Sequence, residues 1–420
     1  MPVVQWLRKV FEGKKQASAE RQLYKEIDKQ LSFAASDPLS LGVEFELALI
    51  NAETLLPVHE GPALVAEMAS PRIKEEGLQH MIEVTSGIGQ TAGDTEKQLR
   101  DEIEKLTQAC QKRGFVLTGT GRPPTIKTGD TLGTNNDRSN RLAEERKILR
   151  DRFGALGMHM HLGMKTPEQC VLYNNFFMHF SPHLIALSAS SPFEEGVFTG
   201  LASMRPAAAE SMPIAGVPYY FQDWRDFTHL CRAMYRAGSI QKLKDLWWDQ
   251  RPSPQYGTLE IRVCDQPATL AESMAILAFV HLLAHWFQEH QSWLDEMPRP
   301  NVWRLRENKW RAMRYGLDAK LVINNQGETR PLCDDIKIWL ERLQPFIAGL
   351  DYGKYVDMLN GIMTRGNSAQ RQQRLWKTSR SIEAVMKFNC DEFAAQMPLW
   401  DKLEEMAASL APANAGKQSA

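Results

Sequence analysis

The chain has 420 residues, 43% of them hydrophobic and 24% charged, enough for a large buried core in a soluble globular protein. Lys and Arg number 50 against 51 Asp and Glu, a balance that gives no electrostatic reason to expect a nucleic-acid or anionic-membrane partner. The six cysteines, at 110, 170, 231, 264, 333 and 390, form no CxxC pair, so no zinc knuckle or redox dithiol is indicated and reduced thiols in a cytoplasmic protein are expected.

Residues 1–38 read as an N-terminal arm of one or two amphipathic helices, closed by the turn signal SDPLS. Its basic residues follow the apolar ones, which is not a cleavable signal pattern. A single domain is expected over 39–405, followed by a flexible tail over 406–420. The domain opens with LSLGVEFELALIN, in which Leu41, Val43, Phe45, Leu47 and Leu49 alternate with Gly42, Glu44, Glu46 and Ala48, the period of a strand. HMIEVTS is a second strand, with Ile82 and Val84 opposite Glu83 and Thr85. Asp94 or Thr95 is the expected cap of a helix whose stripe is Leu99, Ile103, Leu106 and Cys110. GFVLTGT (114–120) is a third strand and GMHMHLGM (157–164) a fourth. Thr166-Pro167 starts a long apolar helix, with proline at its tolerated first position. YGTLEIRVCDQ is a fifth strand, with Leu259, Ile261 and Val263 opposite Glu260 and Arg262. Thr269 and Glu272 form a capping box for a helix to about residue 290, and the chain after 300 reads mostly helical. The apolar run 274–287 is too short to span a bilayer. The fold class expected is α+β, with long helices on one face of the sheet and a helical C-terminal third.

His159 and His161 stand two apart in an apolar run. Strand geometry sends both rings to one face and Met158, Met160, Leu162 and Met164 to the other. Four of the strands thus pair an apolar face with an ionisable one: Glu44 and Glu46; Glu83; His159 and His161; Glu260 and Arg262. Half-exposed strands can be polar on one side for solubility alone. Here, however, the polar positions hold Glu and His almost exclusively, and clustered carboxylates repel unless a cation sits among them. Glutamate-rich ligation with an imidazole suits Mg²⁺ or Mn²⁺ better than zinc. Arg262 can neutralise its neighbours or hold a phosphoryl or carboxylate group bidentately. Other motifs carry less. GTGRPPT (119–125) is followed by no helix start, no GxxxxGK[ST] exists, and His281 and His285 sit in an apolar stripe without the HExxH glutamate.

The segments LGVEFELALIN, MIEVTSG, GMHMHLGM, HLIALSASSP, SMRP, KDLWWDQRPSPQYGTLEIRVCDQPATL and ENKWRAMRYGLDA follow one another as in the glutamate–cysteine ligase superfamily. Over residues 39–400 the chain most resembles its carboxylate–amine ligase branch, also called glutamate–cysteine ligase type 2. The resemblance implies a curved antiparallel sheet of the glutamine synthetase and guanidino kinase kind, carrying ATP and two or three Mg²⁺ ions (with Mn²⁺ as a substitute) on its concave face. It implies a reaction in which ATP phosphorylates a carboxylate, classically glutamate's γ-carboxylate, and an amine such as cysteine displaces phosphate. By motif, Glu44 and Glu46 resemble the first metal-binding pair, Glu83 the next metal carboxylate and His159 a metal or nucleotide histidine. His161 is a lesser candidate metal residue. Glu260 resembles a further metal ligand with a catalytic role, Arg262 a phosphate-stabilising arginine, and Arg205 of SMRP a weaker candidate for substrate-carboxylate binding. Two departures stand out: Gln79, where the family often has an acid four residues before the Glu83 position, and Arg122, in place of the histidine of GGTHPF. They leave open a phosphotransferase of the same fold, or a nucleotide-binding regulatory protein with reduced turnover. The arm and the apolar C-terminal helices are compatible with a homodimer.

Overall fold

The computed structural model describes residues 25–135, 140, 141, 144, 145, 154–296 and 301–410. The expected arm over 1–24 and the tail beyond 410 lie outside them. The last turns of the arm are helical, and Ile27 and Leu31 bury themselves against Val171, Phe221 and Phe227.

A seven-stranded antiparallel sheet organises the chain: β1 (Leu41–Asn51), β2 (Ile73–Glu75), β3 (Met81–Thr85), β4 (Phe115–Thr118), β5 (Gly157–Gly163), β6 (Gln250–Ser253) and β7 (Thr258–Asp265). The order is β6-β7-β5-β1-β3-β2, with β4 also paired to β1. All five strands expected from alternation are present. The other two are the short outer strands, and β6 carries Pro252, a residue that belongs on an edge because it cannot donate to a ladder.

Register fixes which side chains meet. Glu44 faces His159 on β5 and Thr85 on β3, Glu46 faces Glu83, and Glu83 faces Lys74. On the other side, His161 faces Glu260, which faces Arg251. A bulge between Ile261 and Cys264 sets Arg262 and Val263 together against β5. The opposite face is apolar throughout. Val43, Phe45, Leu47, Ile82, Val84, Met158, Met160, Leu162, Leu259 and Ile261 are buried in one continuous core.

Helices close that core. The first, α1 (Ala92–Gln111), starts three residues before the expected cap: Thr91 accepts from Asp94 N–H and Asp94 reaches back, so Asp94 is the third residue of the box and not its first. Then come α2 (Pro167–Phe177), capped by Thr166 as expected, α3 (Ser181–Ser188), the short α4 (Arg205–Glu210) and α5 (Leu270–Glu289), capped by Thr269 as expected. Helix α5 is apolar enough by composition to cross a membrane, yet most of it is buried in the protein core. His281 on α5 bonds the Tyr352 hydroxyl at 2.8 Å and His285 at 3.1 Å, a core role. The C-terminal third is helical from α6 (Val302–Tyr315) onward, interrupted by one small hairpin at Lys320–Val322 and Thr329–Pro331.

Candidate active site

The polar sheet face opens into a cleft of about 210 Å³ whose wall includes Glu44, Glu46, Glu76, Glu83, His159, Arg205, Asp249, Arg251 and Arg262. A second cleft of about 290 Å³ adjoins it, shares Glu44, and is lined by Lys74, His161, Tyr256 and Thr258. Seven of the eight residues singled out in the sequence thus line one cleft or the other, and the eighth, Glu260, is bonded to Arg251 and Arg262 of the first; they come from four strands and one helix. Beyond Glu46 the same face turns apolar at Ala48 and Ile50, which Leu78, Leu156, Met386 and Cys390 cover. The polar region is thus bounded by burial.

Within the cleft, charge is balanced pairwise. Glu260 is buried; Arg251 grips both its oxygens, at 2.9 and 3.3 Å, and Arg262 donates to one of them. Arg251 is itself fixed by donating to the Leu246 carbonyl at 2.7 Å. Burial would raise the Glu260 carboxyl, but the two guanidiniums and His161 outweigh it and hold the group well below the usual carboxylate range. Glu44 behaves alike: burial opposes ionisation, and hydrogen bonds from His159 and His161 overcome it. The His161 imidazole, which burial would lower, is raised by Glu44 and Glu260.

The two histidines differ. Arg205 Nη2 lies 3.2 Å from His159 Nε2, and a guanidinium can only donate. His159 Nε2 must therefore accept, and its proton sits on Nδ1, 3.3 Å from Glu44 Oε2. Both ring nitrogens of His159 are thereby used. His161 Nδ1 bonds the Thr258 hydroxyl at 2.8 Å, while its Nε2 lies 3.6 Å from Glu44 Oε1. Glu44, His161 and Glu260 can each offer one donor atom, all within 4.8 Å of one another. Two carboxylates and an imidazole so placed fit a hard divalent cation.

A second acid group stands without enough counter-charge. Glu83 pairs with Lys74 at 2.8 Å, yet burial and Glu44 keep its carboxyl above the usual range. Glu76, just past β2, is pushed well above that range by burial and by Glu46 and Glu83. Gln79, where an acid was expected, instead donates to the Gly133 carbonyl at 3.0 Å. Glu76 thus brings a carboxylate to the cleft from three residues upstream. Arg122, the other departure, is buried and ion-paired with Glu194 at 3.0 Å.

Sequence reasoning missed Glu76, Arg251 and Asp249. Arg251 stood in plain view in RPSP, and pairing that segment as an edge strand against Glu260 would have found it. Asp249 is bound by the buried Lys309 of α6 at 2.6 Å, and Lys309 also meets Glu210 at 2.8 Å. This contact has no local sequence signal. Asp249 Oδ2 and Arg205 Nε are buried with no hydrogen-bond partner among the described residues, and both residues line the cleft. Buried polar atoms left in that state are costly unless a ligand completes them.

Arg205 reaches the cleft because β5 begins with glycine. Its Nη1 donates to the Arg262 carbonyl at 2.9 Å, and a Cβ at Gly157 would fall 2.1 Å from Nη2. Gly157→Ala is expected to cost about 1–3 kcal/mol, because the buried guanidinium must leave its two acceptors. Urea unfolding checks this; a variant as stable as the parent would mean that Arg205 moves aside freely.

The model of glutamate–cysteine ligase family 2 matches residues 40–387. A protein of Bdellovibrio bacteriovorus named "Putative glutamate--cysteine ligase 2" is 37% identical over 367 residues, covering 86% of this chain and 97% of that one. One of the same name from Thermobifida fusca is 33% identical over 377 residues, covering 88% and 94%. Among solved structures, glutamate–cysteine ligase of Francisella tularensis in complex with AMP superposes with a TM-score of 0.61 at 13% identity, covering 90% of this chain and 94% of that one. A bifunctional glutathione synthetase from Pasteurella multocida gives 0.63 at 14% identity, covering 86% of this chain and 52% of that one. At such identities the structural likeness establishes the fold, and the sequence match establishes the family. The chain belongs to glutamate–cysteine ligase family 2, and with it to the ligases that form a carbon–nitrogen bond at the expense of ATP.

Proposed function

We propose that this protein is an ATP- and Mg²⁺-dependent carboxylate–amine ligase that makes a γ-glutamyl amide through an acyl phosphate. The observation that carries the reading is the composition of the first cleft: carboxylates and arginines converge there, and no serine, threonine or cysteine lines it among the described residues. A cleft of acids and cations with no hydroxyl or thiol among its described lining residues suits direct attack of one substrate on another. The glutamate γ-carboxylate oxygen attacks the terminal phosphorus of ATP and ADP leaves. The amine nitrogen then attacks the acyl carbon, and phosphate departs with the bonding pair.

Phosphoryl transfer needs positioning and charge neutralisation more than covalent help. Glu44, His161 and Glu260 would hold a divalent cation, which supplies charge neutralisation at the nucleotide phosphates. Arg262, anchored on Glu260, stands where it can meet charge growing on the transferred group. Arg205, fixed on His159 and the Arg262 carbonyl, is placed to orient a substrate carboxylate. Glu46 and Glu83 extend the acid surface for a further cation.

The test is ADP release with glutamate, Mg²⁺ and a panel of amines, cysteine included, followed by mass spectrometry of the product. Release that requires both an amine and Mg²⁺, with an amide product, is the expected result. Release without amine would indicate a phosphotransferase. Nucleotide binding with no release under any condition would indicate a regulatory protein.

A further inference from the structure

On the helical side of the molecule, α3, α6 and the helix Leu332–Arg342 enclose a cavity of about 300 Å³ that takes no part in the chemistry above. Its walls are aromatic, with Trp293, Trp339 and Phe180, and three arginines, Arg304, Arg330 and Arg342, line it. Among the described residues the one carboxylate lining it is Asp335. His183 Nε2 lies 2.9 Å from Asp335 Oδ2 and Arg330 is ion-paired with the same group, so that negative charge is already committed.

Two arginines remain. Arg304 is only 4% exposed and donates to the Ile323 carbonyl at 3.3 Å; it has no carboxylate partner among the described residues. Burial alone lowers its guanidinium, with no opposing negative group. Arg342 lies over the Trp339 ring at 4.9 Å and stands at the exposed rim. His183 Nδ1, buried in the same wall, has no hydrogen-bond partner among the described residues. An uncompensated buried cation is expensive, and cavities of about 300 Å³ with aromatic walls and a few convergent polar groups are the usual form of small-molecule sites.

We propose that this cavity binds a small organic oxyanion with a planar ring, its charged group at Arg304 and Arg342 and its ring against Trp293 and Trp339. The site lies apart from the reaction centre. Helix α6 links the two: Arg304, Leu305 and Asn308 line the cavity, and the next residue, Lys309, holds Asp249 in the cleft.

Benzoate and phenyl phosphate serve as probes, with benzyl alcohol as the uncharged counterpart. Binding to the full-length protein is read by calorimetric titration and ligand-observed NMR. Both anions, or one of them, should bind while benzyl alcohol does not; the tighter of the two identifies carboxylate or phosphoryl as the preferred group. Arg342→Glu is a rim change that should leave folding intact and weaken anion binding by at least about tenfold. Arg304→Met should abolish binding and melt no lower than the parent, since it removes the uncompensated charge. Arg262→Ala, in the distant cleft, should leave probe binding unchanged. Absence of anion binding, its survival in Arg342→Glu and Arg304→Met, or its loss in Arg262→Ala would each overturn the proposal. If Arg304→Met fails to fold, Arg342→Glu alone decides.

Discussion

Glu260→Gln will lose about 3–5 kcal/mol of folding stability together with its turnover, because it strips the counter-charge from two arginines at once. Glu260 is 3% exposed, and Arg251 and Arg262 both depend on it. A neutral amide of the same shape keeps some hydrogen bonds but leaves the guanidiniums uncompensated. The residue therefore has a structural role besides the catalytic one proposed for it, which its place on a polar strand face does not reveal. The pH profile should show the same thing. The folded-state pKa of Glu260 is depressed, so its contribution is complete above the unfolded value of about 4.3 and is lost as pH falls below it. The parent should thus weaken steeply in acid, whereas Glu260→Gln should weaken less over the same range. Urea unfolding at neutral pH and at about pH 2, well below the unfolded value, measures both effects. Equal stability of the two proteins at neutral pH would show that Arg251 and Arg262 find compensation elsewhere.

Arg262→Ala is the contrasting case. Arg251 keeps its two contacts with Glu260 after the substitution, so no charge is orphaned, and the variant should unfold within about 1 kcal/mol of the parent. Turnover should nevertheless fall by about 10²–10³-fold, the usual cost of losing one preorganised cation or donor at developing charge. Steady-state ADP release gives the number. Arg262→Lys should recover little, because an ammonium cannot reproduce a guanidinium that bonds Glu260 and a phosphoryl oxygen together. An alanine variant with unchanged turnover would remove Arg262 from the reaction.

Alternation exposed β1, β3, β5 and β7 because their apolar face must meet a core; a period of two over five or more residues cannot satisfy a helix. The same logic placed Glu44, Glu46, Glu83, His159, His161 and Glu260 on one surface without any knowledge of order in the sheet. Strands β2 and β6 escaped because three or four residues, one a proline, carry no period. With them went Arg251 and the carboxylate of Glu76 just beyond β2. The cap of α1 was misplaced by three residues because Asp94 fits both ends of a capping box. Arg205 came from family resemblance alone. Its partners, a histidine ring and a backbone carbonyl, depend on a close approach at Gly157 that no pattern of residue types encodes. Which ring nitrogens of His159 and His161 are already engaged was likewise invisible, since it turns on the contacts of Arg205 and Thr258.

The pairing of β1 with β5 and of β5 with β7 also sets the order of events in folding. Glu44 and His159 are 115 residues apart in the chain, and His161 and Thr258 are 97 apart. Each pairing closes a long loop before it returns any contact energy, which makes such steps slow. Helices α5 and α6, by contrast, draw on contacts within a few turns. During refolding from urea, far-UV helical signal should therefore return before nucleotide binding does. The cleft proposed for ATP comes into being only when the last of these strands docks, so partly folded chains would hold helices but lack that cleft.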